Sequence, residues 1–200
     1  MNINAVPLFA SPLISLSVEE NTDKLIEYPY EFIKTGTHHK TYSTKDNRIL
    51  QKFPKIEKIL LNYFNKIAIE VFKYNENFKI STSWVTKTDD NYSQFHSHKH
   101  SFYSGVYYFE DYPDNSGRLQ FKSPIGSYSD FYLVPREWNL MNSNTWSEIP
   151  KKNKLVFFPS YIEHRVVDNE HTERRSLAFN IVPTGEYGHG DSSYNTSWFR

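Results

Sequence analysis

The chain has 200 residues with equal numbers of acidic and basic side chains, 23 each, so its net charge is zero and no basic excess indicates a nucleic-acid partner. It has no cysteine, which excludes disulfides, Cys-based zinc sites and thiol nucleophiles. Aromatic residues make up 17%, a composition that suits pleated, half-buried surfaces and favours a β-rich fold.

The N-terminal stretch MNINAVPLFASPLISLSVEEN lacks a basic region followed by a long apolar run, so it reads as neither a signal peptide nor a membrane span. A soluble, cytoplasmic protein is the expectation. Val6–Leu16 is apolar but punctuated by proline and predicts a short edge strand. Residues 17–52 are polar with weak signals, and His38–Lys40 is expected on an exposed loop.

Residues 54–74 carry the clearest helical pattern. Ile56, Ile59, Leu60, Tyr63, Phe64, Ile67 and Val71 recur at helical spacing, and Pro54 suits the first turn. A helix packed on a sheet is predicted. After Asn77 the pattern becomes that of strands: Phe78–Thr88, a turn at Asp89–Asn91, YSQFHSHKH, SGVYYFE, a turn at Asp111–Gly117, RLQFKSP, Ser129–Val134, Lys154–Ser160 and Arg174–Val182. The tail from Gly185 is polar and glycine-containing. No repeat or linker divides the chain. One domain is expected over 1–200, with helical support at about 53–77, a β core at about 78–183 and a polar tail at 184–200.

Three of the eight histidines fall in FHSHKH, as His96, His98 and His100. Residues two apart on a strand project from one face, so His96 and His98 would point together. A lone His-x-His fits a metal site and a solvated strand face equally well. His164 follows the apolar run Leu155–Phe158 and is placed to return as a third ligand. Ten residues on, Arg174, Ser176, Ala178 and Asn180 share one strand face. Inward-facing polar groups of this kind need partners, either an internal acid or the carboxylate of a ligand.

His-x-His, then SGVYYF, GRLQF, KLVFFPSYIEH and RRSLAFN, in that order, resembles the 2-oxoglutarate/Fe(II)-dependent oxygenases of bacteria and phages, a prolyl-hydroxylase-like group. The resemblance runs from about Trp84 to Asn180. It implies a mainly β (α+β) fold: a double-stranded β-helix (jelly roll, cupin-like), with the N-terminal helix packed on the major sheet. It implies Fe(II), 2-oxoglutarate as cosubstrate and O2, with decarboxylation of 2-oxoglutarate to succinate and hydroxylation of a substrate. His96, His98 and His164 would hold iron, with His100 in reserve. Arg174 and Ser176 would bind the distal carboxylate, joined by Tyr108, while Asn180 and Gln94 would line the pocket.

The sequence departs from the usual two-histidine, one-carboxylate set in placing His98 where the carboxylate is expected. Glu163 and Asp130 are the candidates to supply a carboxylate from elsewhere. A cupin-like three-histidine metalloenzyme that does not use 2-oxoglutarate, and a non-catalytic β-domain binding a small ligand, remain as alternatives. The substrate, a small molecule or a protein side chain, is not legible. Ser127–Pro150, with Trp138 and Trp146, is a candidate substrate wall or simply core. A homo-oligomer is left open.

Overall fold

The structure is a computed structural model that describes residues 4, 6, 10–35, 40–89, 92–125, 133–171 and 173–199, with side chains described as far as residue 197. Its strands are β1 (Ile14–Ser17), β2 (Phe32–Thr35), β3 (Thr41–Thr44), β4 (Asn77–Thr88), β5 (Tyr103–Tyr107), β6 (Arg118–Lys122), β7 (Thr145–Glu148), β8 (Lys154–Pro159), β9 (His164–Val167), β10 (Arg174–Thr184), β11 (Glu186–Tyr187) and β12 (Tyr194–Asn195). The helices are α1 (Lys24–Glu27) and α2 (Pro54–Glu70). Among the described residues no helix is long and apolar enough to cross a membrane.

A major sheet runs β1-β8-β5-β10-β4-β3-β2, and a smaller sheet runs β7-β6-β9. All pairings within them are antiparallel. The two sheets form the mostly β jelly roll. Strand alternation explains how one sheet serves two cores. Leu155 and Phe157 of β8 face the α2 side, where Ile56, Leu60, Phe64 and Ile67 are buried with Phe78, Leu177 and Phe179. Phe64 contacts the rings of Phe78, Tyr103 and Phe157 at 5.1, 5.3 and 5.4 Å. Val156 and Phe158, at the alternate positions, pack with Val106, Tyr108, Leu119 and Phe121 between the sheets. β8 is therefore covered on both faces, which accounts for its unbroken apolar run.

Several expectations need adjustment. The edge strand is β1, starting after Pro12; prolines have no N–H to give a ladder. Val71 is the C-cap just beyond α2 and is 62% exposed, and the chain takes a positive φ of 62° two residues later at Lys73. The polar stretch 17–52 contains β2, β3 and the buried Val18, Leu25, Ile49 and Leu50, scattered apolar residues with no period to reveal them. The tail pairs β11 with β12 as a small hairpin. Trp138 and Trp146 are 62% and 45% exposed, so neither is core. His38, His39, Asp130, most of Ser129–Val134 and part of the turn at Asp89–Asn91 lie outside the described residues.

The stretch YSQFHSHKH does not form a continuous strand. Ser93 and His96 bond to β9, through Val166 and through a bridge between His96 and His164. The next backbone bond, His98 N–H to Ser160 O, goes instead to the loop after β8. The segment thus changes partner part-way and completes a ladder with neither.

Candidate metal centre

That change of partner assembles the centre. The backbone groups of His96 and His164 exchange two hydrogen bonds, N to O at 3.1 and 2.9 Å. Facing residues of antiparallel strands bring side chains close, and the two imidazole centroids lie 4.4 Å apart. The bond from His98 N–H to Ser160 O, at 2.9 Å, holds the third ring 5.2 Å from His96 and 5.1 Å from His164. One ligand atom from each of the three lies within 4.8 Å of the others. His100 stands outside this group, in an exposed turn at φ 57°. The Glu163 carboxylate is engaged elsewhere, 3.0 Å from Lys122 Nζ.

Two of the rings have their tautomer set by the backbone. Nδ1 of His96 lies 3.0 Å from Gln94 O, and Nδ1 of His164 lies 3.0 Å from Ile162 O. Only an N–H satisfies a carbonyl oxygen, so both rings carry the proton on Nδ1 and keep the Nε2 lone pair for a cation. The surroundings also disfavour imidazolium. Burial, reinforced by His96, lowers the His98 pKa to about 4; burial, with His96 and His98 adding to it, lowers that of His164 to about 3. Trp84 lies 5.3 Å from His98, and Phe158 lies 4.7 Å from His164. These rings are the apolar contacts behind the desolvation.

The histidines line a cavity of about 390 Å³ that also reaches Gln94, Tyr108, Arg174 and Ser176. Arg174 is 1% exposed. Its Nε donates to Gly117 O at 3.0 Å, and its guanidinium carbon lies 5.5 Å from the Tyr108 ring centre. Among the described residues no carboxylate pairs with it. The hydroxyl of Tyr108 is buried without a hydrogen-bond partner, as is that of Thr88. Burial pushes the Tyr108 phenol up, with Arg174 pulling against it, so the phenol stays a donor. Thr88 and Arg174 are register partners on β4 and β10, and both line the cavity. A buried cation and two orphaned hydroxyls on one wall describe a place built for an anion.

Asn180 is placed differently from the other predicted residues. It is absent from the cavity wall; its amide accepts from Ser104 Oγ at 2.8 Å and donates to Thr82 Oγ1 at 3.0 Å. Sequence reasoning missed Thr88 and Gly117. A threonine in a β-branched strand carries no signal of its own, and Gly117 acts through its carbonyl. A Cβ at Gly117 would meet Asn169 Cβ at 2.5 Å and Val166 Cγ1 at 2.7 Å, so only glycine fits this approach. A second cavity, about 730 Å³, is lined by Leu13, Ile125, Leu140, Met141 and Trp146, and shares Phe158 with the first.

Comparison with known proteins then decides the family. The family model described as "Putative 2OG-Fe(II) oxygenase" matches residues 82–180, from within β4 to Asn180 of β10. The chain belongs to the 2OG-Fe(II) oxygenase family.

As a member of this family it is an enzyme of the 2-oxoglutarate-dependent oxygenase class, with Fe(II), 2-oxoglutarate and O2 as its cofactors. No curated protein sequence matches the chain. Solved structures share the fold at low identity. The non-heme alpha ketoglutarate dependent epimerase SnoN from nogalamycin biosynthesis is 10% identical, with 90% of this chain and 82% of that one covered and a TM-score of 0.61. HygX from Streptomyces hygroscopicus, solved with nickel, 2-oxoglutarate and hygromycin B, is 9% identical over 87% and 84%, with a TM-score of 0.55. A Trichoplax adhaerens prolyl hydroxylase in complex with a hypoxia inducible factor peptide is 8% identical over 84% and 82%, with a TM-score of 0.56.

Proposed function

We propose that this oxygenase holds iron through Nε2 of His96 and His164 and a ring nitrogen of His98, anchors 2-oxoglutarate on Arg174, and hydroxylates a substrate admitted beside the histidines. The observation that carries this reading is Arg174: a buried guanidinium without an acidic partner among the described residues, on the wall of the cavity that contains the three histidines. The donor set fits a borderline divalent ion, since imidazole suits iron. The anion wall fits a dicarboxylate's far end, since a guanidinium offers a two-point, charge-assisted pair.

Bound iron and 2-oxoglutarate supply oxygen activation, with loss of CO2 from the cosubstrate to give succinate. The chain's own residues do the rest. Gln94 O and Ile162 O hold two imidazoles in the ligating tautomer and orientation. Gly117 O fixes the Arg174 side chain, so that its remaining N–H groups and the Tyr108 and Thr88 hydroxyls meet a carboxylate without rearrangement. Ser176 lines the same cavity and adds a hydroxyl. Val106, Leu119, Phe158 and Val166 wall the cavity and keep water from the reacting groups. Asn180 braces Ser104 and Thr82 behind the wall, and Gln94 lies at its exposed rim. HygX was solved with a small molecule and the Trichoplax enzyme with a peptide, so both substrate sizes are compatible with this fold.

The test is succinate formation from 2-oxoglutarate by purified protein. It is expected to require added Fe(II) and to be lost in Arg174→Ala. Iron-dependent turnover that ignores 2-oxoglutarate would favour a three-histidine metalloenzyme of another kind.

A further inference from the structure

The cavity has a charge imbalance. Its described lining residues include three histidines and the cations Arg165 and Arg174, and no Asp or Glu. Glu163, next to His164 in sequence, is spent on Lys122. An imidazole that ligates a metal is neutral. Arg165 is only part-buried and gives its Nε to Gln120 Oε1, so solvent screens its charge. Of the buried charges, on the reading above, a divalent ion and Arg174 bring three positive ones and 2-oxoglutarate returns two negative ones, so one positive charge is left over. A set with two histidines and a carboxylate would balance to zero. The surplus sits among Val106, Leu119, Phe158 and Val166, where an uncompensated charge is costly.

The wall that carries Thr88 and Arg174 offers further hydroxyls one row along. Strand register sets Ser43 beside Thr86 and Thr86 beside Ser176 across β3, β4 and β10. All three line the cavity; with Ser176 given to the cosubstrate, the Ser43 and Thr86 hydroxyls can donate to a second negative group without adding charge. The volume of about 390 Å³ must hold the cosubstrate too, so the reacting part of the substrate is small.

We propose that this site selects a small substrate bearing a carboxylate, which occupies the cavity beside the three histidines and cancels the charge that His98 leaves unbalanced. The proposal rests on the cofactor reading above, and the experiment separates the two. The 200-residue chain is loaded anaerobically with Co(II) and 2-oxoglutarate. Metal uptake and the change in the visible Co(II) bands on adding 2-oxoglutarate are recorded first. Acetate and its neutral isostere acetamide are then titrated at constant ionic strength. Acetate is expected to shift the bands saturably and to bind at least tenfold more tightly than acetamide. His98→Asp, which restores the balancing charge, is expected to reduce that preference at least tenfold.

A wild-type protein that takes up neither Co(II) nor 2-oxoglutarate refutes the cofactor reading. A protein that binds both but prefers acetate no more than acetamide overturns the carboxylate proposal alone. So does acetate that acts only by displacing 2-oxoglutarate, read by equilibrium dialysis. The wild-type comparison decides the matter even if His98→Asp does not fold.

Discussion

Replacing Arg174 by methionine should leave the apo fold as stable as before, or more so, while abolishing cosubstrate binding. Methionine fills much of the same volume but carries no charge. The change removes the Nε bond to Gly117 O and orphans that carbonyl, a loss of about 1–3 kcal/mol. It also removes a cation that is 1% exposed and has no acidic partner among the described residues, a relief of several kcal/mol. The two effects offset or leave a net gain. Cosubstrate binding has no such compensation. A two-point pair to a carboxylate contributes roughly 3–6 kcal/mol at about 1.5–3 per charged hydrogen bond, so affinity should fall by roughly 10²–10⁴-fold. Thermal unfolding of metal-loaded protein reads both effects. At a 2-oxoglutarate concentration of 100 Kd the wild type gains about 2.7 kcal/mol, which for a chain of this size is a rise in Tm of about 5–11 °C. The variant, weakened by at least about 100-fold, should gain no more than about 0.4 kcal/mol and rise by less than about 2 °C. A variant whose apo form loses more than about 3 kcal/mol would mean that Arg174 is structural. A variant that keeps the 2-oxoglutarate-dependent rise would mean that the anchor lies elsewhere.

Tyr108→Phe deletes a buried hydroxyl that has no partner, so the apo Tm should hold or rise while the Kd for 2-oxoglutarate, measured by calorimetry, increases about tenfold or more. Gly117→Ala forces a Cβ into Asn169 and Val166; it should cost about 1–3 kcal/mol and raise KM for 2-oxoglutarate, with metal content unchanged because the histidines are untouched. His164→Ala should lower iron content measured after dialysis, and wild-type affinity in that variant would refute the ligand assignment. His98 and His164 have folded pKa values below the unfolded value of about 6.5, so below that pH the unfolded chain takes up protons that the folded apo chain refuses. The apo protein should therefore lose about 1.4 kcal/mol per pH unit for each histidine as pH falls from 6.5 toward 4, in urea titrations. The slope should be shallower in His164→Ala.

Local periodicity by itself determined α2 and the long β strands: Leu60, Phe64 and Ile67 repeat at helical spacing, and β8 and β10 read as strands because burial on one or both faces writes a pattern into consecutive residues. Order and spacing of the motifs also marked His96, His98, His164 and Arg174, because these residue types have few uses inside a β fold. β2, β3, β7 and β9 were not legible, since strands of four residues hold too few alternations to stand out. Nor was the reason that His96 and His98 converge. Their stretch is not one strand; it leaves β9 after His96 and turns to Ser160, a choice made by partners more than sixty residues away. Thr88 and Gly117 became visible only through register and contact, one as the neighbour of Arg174 across the sheet and the other as the acceptor of its Nε. Tertiary structure alone decided these, because a hydrogen-bond ladder and a buried charge take their meaning from what stands opposite, and the order of residues along the chain does not say what that is.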